Sequence, residues 1–224
     1  LTYEINENWE VEGYATWGRN RTSMVSNGNF NVERARLALV VETVEGEVRC
    51  VDASARQAGC VPFTPWGEGA ISADQVEYLS ASTTFNADVE QTVAGAVISG
   101  VTPWALPGGE IGLVGGIEYR EEKGFEAPSG LAQAGIISGN RILATDGKFD
   151  VTDYFFEIGI PVMDQLSFQA AYRYGDYSTV GGLSTWKVGF EAPVLDWLKF
   201  RGTVGESVRA PNITDLFSGA GETF

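Results

Sequence analysis

QLSFQAAYRY, Gln165–Tyr174, is the stretch that decides the fold. Leu166, Phe168, Ala170, Tyr172 and Tyr174 take every second position, and Gln165, Ser167, Gln169 and Arg173 stand between them. Successive side chains of a β-strand point to opposite faces, so this segment has one apolar face and one polar face. The same period recurs on both sides of it. Trp9, Val11, Gly13, Ala15 and Trp17 alternate with Glu10, Glu12, Tyr14 and Thr16. Ile111, Leu113, Gly115, Ile117 and Tyr119 oppose a set that holds Glu110, Gly112, Glu118 and Arg120. Trp186, Val188, Phe190 and Ala192 alternate with Lys187, Gly189 and Glu191. Leu198, Phe200, Gly202 and Val204 alternate with Lys199, Arg201 and Thr203. Each run reads as a half-buried strand.

The links between these runs come in two kinds. Tight turns are expected near Glu4–Asn8, Thr102–Gly109, Pro161–Gln165 and Pro193–Asp196. Longer connections are expected at Val25–Ser82, Lys123–Phe149, Asp176–Leu183 and after Arg209. Short and long alternate along the chain, which a Greek-key sandwich has no reason to do. A membrane barrel does so, because its turns on one side are tight and its loops on the other are long. Several runs approach the roughly 10 residues a tilted strand needs to cross a bilayer, against five or six in ordinary sheets. Trp9, Trp17, Trp104, Tyr119, Tyr172, Tyr174, Tyr177, Trp186 and Trp197 lie near strand ends. An interfacial aromatic girdle accounts for them; cross-strand aromatic pairing in a soluble sheet is the alternative. The fold class predicted is all-β: an antiparallel transmembrane β-barrel, here a partial barrel of about eight long strands.

Composition agrees. The 224 residues allow one domain or two. A mean hydropathy of -0.05 fits strands with one face toward lipid and one toward water. The net charge of -15 argues against nucleic acid as a partner and against an anionic membrane surface. It serves the solubility of exposed loops, or it marks an acidic lumen suited to cationic or polyhydroxylated ligands. The longest uncharged stretch, Gln91–Gly109, is broken by Pro103 and Pro107, so no transmembrane helix is expected. Leu1 opens inside a strand and no initiator Met precedes it, which predicts a piece whose targeting segment lies upstream. Phe224 resembles the terminal aromatic of barrel proteins, but no alternation precedes it, so it reads as a truncation point.

Catalytic constellations are missing. The chain has no His, which removes Ser-His-Asp and Cys-His arrangements and H-E-x-x-H zinc sites. Gly219-Ala220-Gly221 lacks the third Gly of a dinucleotide motif. In Gly205-Glu206-Ser207-Val208-Arg209, Arg209 replaces the second Gly of a nucleophile elbow. Asn20-Arg21-Thr22 and Asn212-Ile213-Thr214 match glycosylation acceptors by chance. Asp146, Asp150 and Asp153 are spaced too loosely for a calcium loop and read as a solvated loop. No enzyme, no cofactor and no metal site are expected.

The connection at residues 25–82 is predicted to carry structure of its own. Val32, Leu37, Val40 and Val41 have roughly helical spacing within Asn31–Val44. Ser72-Ala73-Asp74-Gln75 fits a capping box ahead of Val76 and Leu79. Two short helices are therefore expected, flanking Cys50 and Cys60. In an oxidising compartment that pair reads as a local disulfide; two free thiols are the alternative.

Certain residues resemble a known family. FRGTVGESVRAPNITDLF, Phe200–Phe217, is similar to the barrel of TonB-dependent receptors, with a strand ending in Arg209-Ala210-Pro211 and Leu216-Phe217 shortly after. RCVDASARQAGCVPFTPWGEGAISADQVEYLS, Arg49–Ser80, resembles the Cys-bridged extracellular loop of one branch. LVGGIEYREE, Leu113–Glu122, and INENW, Ile5–Trp9, are similar to other barrel pieces. The resemblance implies a barrel of about 22 strands around an amino-terminal plug, in the outer membrane of a Gram-negative bacterium. It implies outer-membrane lipid, the plug and TonB as partners, the last two outside this chain. It also implies active uptake of a siderophore-iron, cobalamin-like or oligosaccharide ligand. Glu118, Arg120, Arg173, Lys187, Glu191 and Arg201 sit on polar strand faces and are the candidate lumen residues. They would bind ligand, contact the plug or hydrate the lumen. A passive pore or adhesin barrel is the competing reading, and a soluble carbohydrate-binding β-sandwich is the second.

Overall fold

The structure, a computed structural model, describes residues 1–219, so Phe224 and most of the Gly219-Ala220-Gly221 run lie outside the described residues. Strands β1 (Thr2–Asn6), β2 (Trp9–Phe30), β5 (Ser80–Leu106), β6 (Gly109–Pro128), β7 (Thr145–Met163), β8 (Leu166–Tyr177), β9 (Gly181–Leu195) and β10 (Leu198–Glu206) form one sheet in that spatial order. All the registers described are antiparallel. The sheet is open, with β1 and β10 at its edges. It is the partial barrel wall expected from the alternation. β5 runs for 27 residues and β2 for 22, about twice the ~10 needed to cross a bilayer.

Two compact units make up the chain. Leu1–Asn20, Val89–Gly124 and Gly147–Leu216 form the first. Arg21–Asp88 and Phe125–Asp146, with the chain from Phe217, form the second.

In the first unit the tight turns fall at Glu7–Asn8, Pro107–Gly108, Asp164–Gln165 and Asp196–Trp197, as the sequence predicts. Register then sorts the faces. Ile160, Phe168, Phe190 and Gly202 form one cross-strand row; Ile158, Ala170, Val188 and Val204 form the next; Phe156, Tyr172 and Trp186 lead the third. This apolar face is bare: Trp186 is 40 % exposed and Val204 62 %. A sheet face of this breadth needs an apolar medium against it, and the aromatic row at its end matches a membrane-interface belt. The opposite face carries Asp153, Glu157, Arg173, Lys187, Glu191 and Arg201 in the same registers.

One expected long connection is short. β8 and β9 stay paired through Tyr177↔Gly181, leaving only Ser178–Val180 between them. Gly181 closes this three-residue hairpin with a φ of +77°, the left-handed conformation such turns use. A second difference concerns Asp146, Asp150 and Asp153, which all lie inside β7 and not in a solvated loop; Asp153 is buried.

The second unit holds most of the connection between β2 and β5. β2 continues past Val25 to Phe30 before the connection begins. Helix α1 (Val32–Leu39) starts at Asn31, whose side chain accepts the Arg34 N–H. It ends at Val40, because Val41–Val44 pairs as strand β3 with β4 (Glu47–Cys50). Glu45 (φ 55°) and Gly46 (φ 89°) make the turn, the paired positive φ of a type I′ hairpin. Val40 and Val41, expected in the helix, are thus outside it. Asp52 caps helix α2 (Ala53–Gln57), and the expected capping box opens α3 (Ala73–Leu79) with Ser72 and Gln75. The connection therefore holds three helices and a hairpin where two helices were expected. Cys50 and Cys60 are joined as a disulfide. Ala35, Ala38, Tyr78 and Leu79 form a small core, with Cys60, Val61 and Phe63 packed against it. Helix α4 (Gly130–Gln133) lies in the connection to β7, and that connection is tied to the end of β2 by Val32 N–H to Ile136 O and Ser138 N–H to Phe30 O.

Candidate functional site

The polar face of the first unit carries a chain of contacts across five neighbouring strands. Tyr14 on β2 points over β5 and donates its hydroxyl to Glu118 on β6 at 2.5 Å. It crosses β5 at Gly95, where a Cβ would stand 2.6 Å from the Tyr14 ring and hydroxyl. From the other side, Arg173 on β8 donates through Nη2 to Asp153 on β7 at 2.6 Å and to Glu118 at 3.4 Å. Gly175 leaves the space for Asp153; a Cβ there would meet the Asp153 carboxylate at 2.5 Å. Small residues beneath long ones let polar side chains lie flat along the wall.

The charges are matched in unequal surroundings. The Asp153 side chain is 3 % exposed and that of Arg173 is 48 %. A carboxylate so buried needs its cation and hydrogen bonds. Glu118 is satisfied from both sides, by a phenol and a guanidinium.

A concavity of about 580 Å³ opens beside this chain, lined among others by Tyr14, Glu118, Phe155, Glu157, Arg173 and Lys187. That volume is in the range of small-molecule sites. Phe155 lies over Gly116, where any Cβ would overlap its ring.

The sequence-derived candidates divide as follows. Glu118 and Arg173 meet directly, and Lys187 lines the same concavity. Arg120 pairs with Glu122 at 2.5 Å, and Gln91 donates to the same oxygen. Glu191 pairs with Lys199 at 3.1 Å and faces Arg201 in the β9–β10 register. Arg209 pairs with Asp215 at 2.8 Å. That pair follows the strand end: Ala210 and Pro211 lead to Asn212, whose side chain accepts the Asp215 N–H at the start of α5 (Ile213–Phe217), which holds Leu216 and Phe217. Ile213 seats α5 over Gly124. The pair is exposed and contributes little.

Tyr14, Asp153 and Glu157 were absent from the candidates. Alternation already places Tyr14 with Glu10 and Glu12. Asp153 carries no such signal, because its neighbours at two-residue spacing are the apolar Val151 and Phe155.

No curated protein and no solved structure matches the chain. The family described as TonB dependent receptor-like, beta-barrel matches residues 1–223. It is a family of outer-membrane transporters, not enzymes. An antiparallel sheet with one bare apolar face, one ion-paired polar face and a profile match over nearly its whole length places the chain: it belongs to the TonB-dependent receptor β-barrel family.

Proposed function

We propose that residues 1–224 are a section of the barrel wall of a receptor that actively takes up a scarce nutrient across the outer membrane. The ligand class is a siderophore-iron complex, a cobalamin-like molecule or an oligosaccharide. In this reading the apolar rows face lipid and the polar face lines the lumen. The disulfide-closed segment, residues 25–82, is an extracellular loop that meets the ligand. The plug and TonB are partners outside this chain. Glu118, Arg120, Arg173, Lys187, Glu191 and Arg201 serve the lumen, as ligand or plug contacts.

The observation that supports this most is the contact chain from Tyr14 to Asp153 across five strands. It joins β2, β6, β7 and β8 through paired polar side chains on the face read as lumenal, which suits a wall that presents placed groups to a ligand or plug.

The test is uptake by cells carrying the whole receptor, given labelled ferric siderophore, cyanocobalamin and maltotriose in turn. Uptake of one of them is expected to stop when a protonophore collapses the proton gradient. Uptake that continues unchanged identifies a passive pore and refutes the proposal.

A further inference from the structure

We propose that the concavity beside the Tyr14–Glu118–Arg173 contacts binds a neutral, polyhydroxylated ligand, an oligosaccharide, with Phe155 as its stacking platform. The inference rests on the reading that this face lines the lumen, and it selects among the ligand classes left open there.

Charge makes the selection. Of the charges that line the concavity, Glu118 is held by Tyr14 and Arg173, while Glu206 pairs in register with Trp186 and turns its carboxylate to the apolar face, where it accepts from the Trp186 Nε1–H at 3.2 Å. That leaves Glu157 and Lys187, one of each sign, neither in an ion pair among the described residues. An anionic metal chelate entering here meets two carboxylates and two cations, in a chain whose net charge is -15. It gains nothing from the field. A cation finds only Glu157 free, beside Lys187. A neutral polyol suits both groups, because each hydroxyl donates and accepts.

The lining supplies the rest. Arg173 commits only Nη2 to Asp153 and Glu118, so its remaining N–H groups are available as donors. Thr185 and Ser207 add hydroxyls. Phe155 and Tyr14 bring two rings to one concavity, each resting over a glycine, Gly116 and Gly95. A sugar ring offers an apolar C–H face to an aromatic and a polar rim to its neighbours. A few fixed polar groups around aromatic walls is the usual form of a small-molecule site.

The test is isothermal titration of the whole, detergent-solubilised receptor with maltotriose, cellotriose and xylotriose, beside a ferric tris-catecholate. One of the sugars is expected to bind with an affinity indifferent to salt, since no net charge is neutralised. Phe155→Ala and Phe155→Leu should each weaken it roughly tenfold. Leu keeps the apolar bulk, so its loss reports the ring and not collapse of the wall. In Glu157→Gln and Lys187→Gln, which keep a hydrogen-bonding group at each position, the affinity should stay as indifferent to salt as in the parent, because charge does not carry the binding. Absence of binding by all the sugars, a salt-sensitive affinity, or an unchanged affinity in Phe155→Leu overturns the inference. If the catecholate binds and is taken up under energised conditions while no sugar binds, the transport reading stands and this one falls.

Discussion

Replacing Arg173 by Met tests whether the polar wall is held by its charges. Asp153 is 2 % exposed, and its Oδ2 lies 2.6 Å from Arg173 Nη2. Stranding a buried carboxylate costs ~3–5 kcal/mol when neither partner sees water. Here the Arg173 side chain is 48 % exposed, so water can reach part of the site and the cost falls toward ~2 kcal/mol. The longer contact to Glu118, at 3.4 Å, adds less than ~1 kcal/mol. Arg173→Met is therefore expected to destabilise by about 2–3 kcal/mol. Asp153→Asn made on top of it removes the stranded charge and should restore about 1–2 kcal/mol. The assay is denaturant unfolding of the whole receptor in detergent, followed by tryptophan emission and arranged as a double-mutant cycle. A single-mutant cost below ~0.5 kcal/mol, or effects of Arg173→Met and Asp153→Asn that simply add, refutes the reasoning.

Gly95→Ala should cost about 1–3 kcal/mol, because its Cβ meets the Tyr14 ring; in a Tyr14→Ala background most of that cost should vanish in the same unfolding assay. Cys60→Ser opens a bridge spanning 10 residues and should cost the second unit about 2–3 kcal/mol. Hydrogen exchange should then rise across Val32–Leu79 and stay unchanged in β8 and β9; equal protection throughout would count against it. Burial pushes the Tyr78 phenol above its ordinary 10.0, Asp52 adding to the shift and Arg34 opposing it. The folded form thus prefers the neutral phenol, so this stability is complete below pH 10 and is lost as pH rises through the folded value. Phenolate absorbance, taken as the difference between the parent and Tyr78→Phe, should titrate above 10.0; titration at or below it contradicts the assignment.

Local rules were readable in the sequence and tertiary ones were not. The capping box at Ser72–Gln75 is legible because both of its hydrogen bonds close within three residues. The hairpin at Glu45-Gly46 was equally local, and its turn residues lie between Val-rich arms. The helical spacing of Val32, Leu37, Val40 and Val41 masked it. β-branched residues at Val40 and Val41 favour the extended chain that the structure adopts. The link at Asp176–Leu183 misled for a similar reason. Its Gly and Ser content reads as a loop, yet pairing carries on to Tyr177 and Gly181.

Among the candidate residues, Glu118 and Arg173 could each be placed on a polar face, but nothing local joins them. Their contact spans 55 residues of sequence, and that of Tyr14 with Glu118 spans 104. Asp153 looked like one more acid in a charged stretch.

The sequence by itself determined which side chains share a face, where four of the tight turns fall, and so that this chain is barrel wall, because the two-residue period and the turn conformations are properties of a few consecutive residues. The tertiary structure alone decided which polar groups meet, that Asp153 is buried, and that rings and carboxylates rest over Gly95, Gly116 and Gly175. Those outcomes depend on the register between strands far apart in the chain, and register is set by the sum of many weak cross-strand contacts, which no single segment contains.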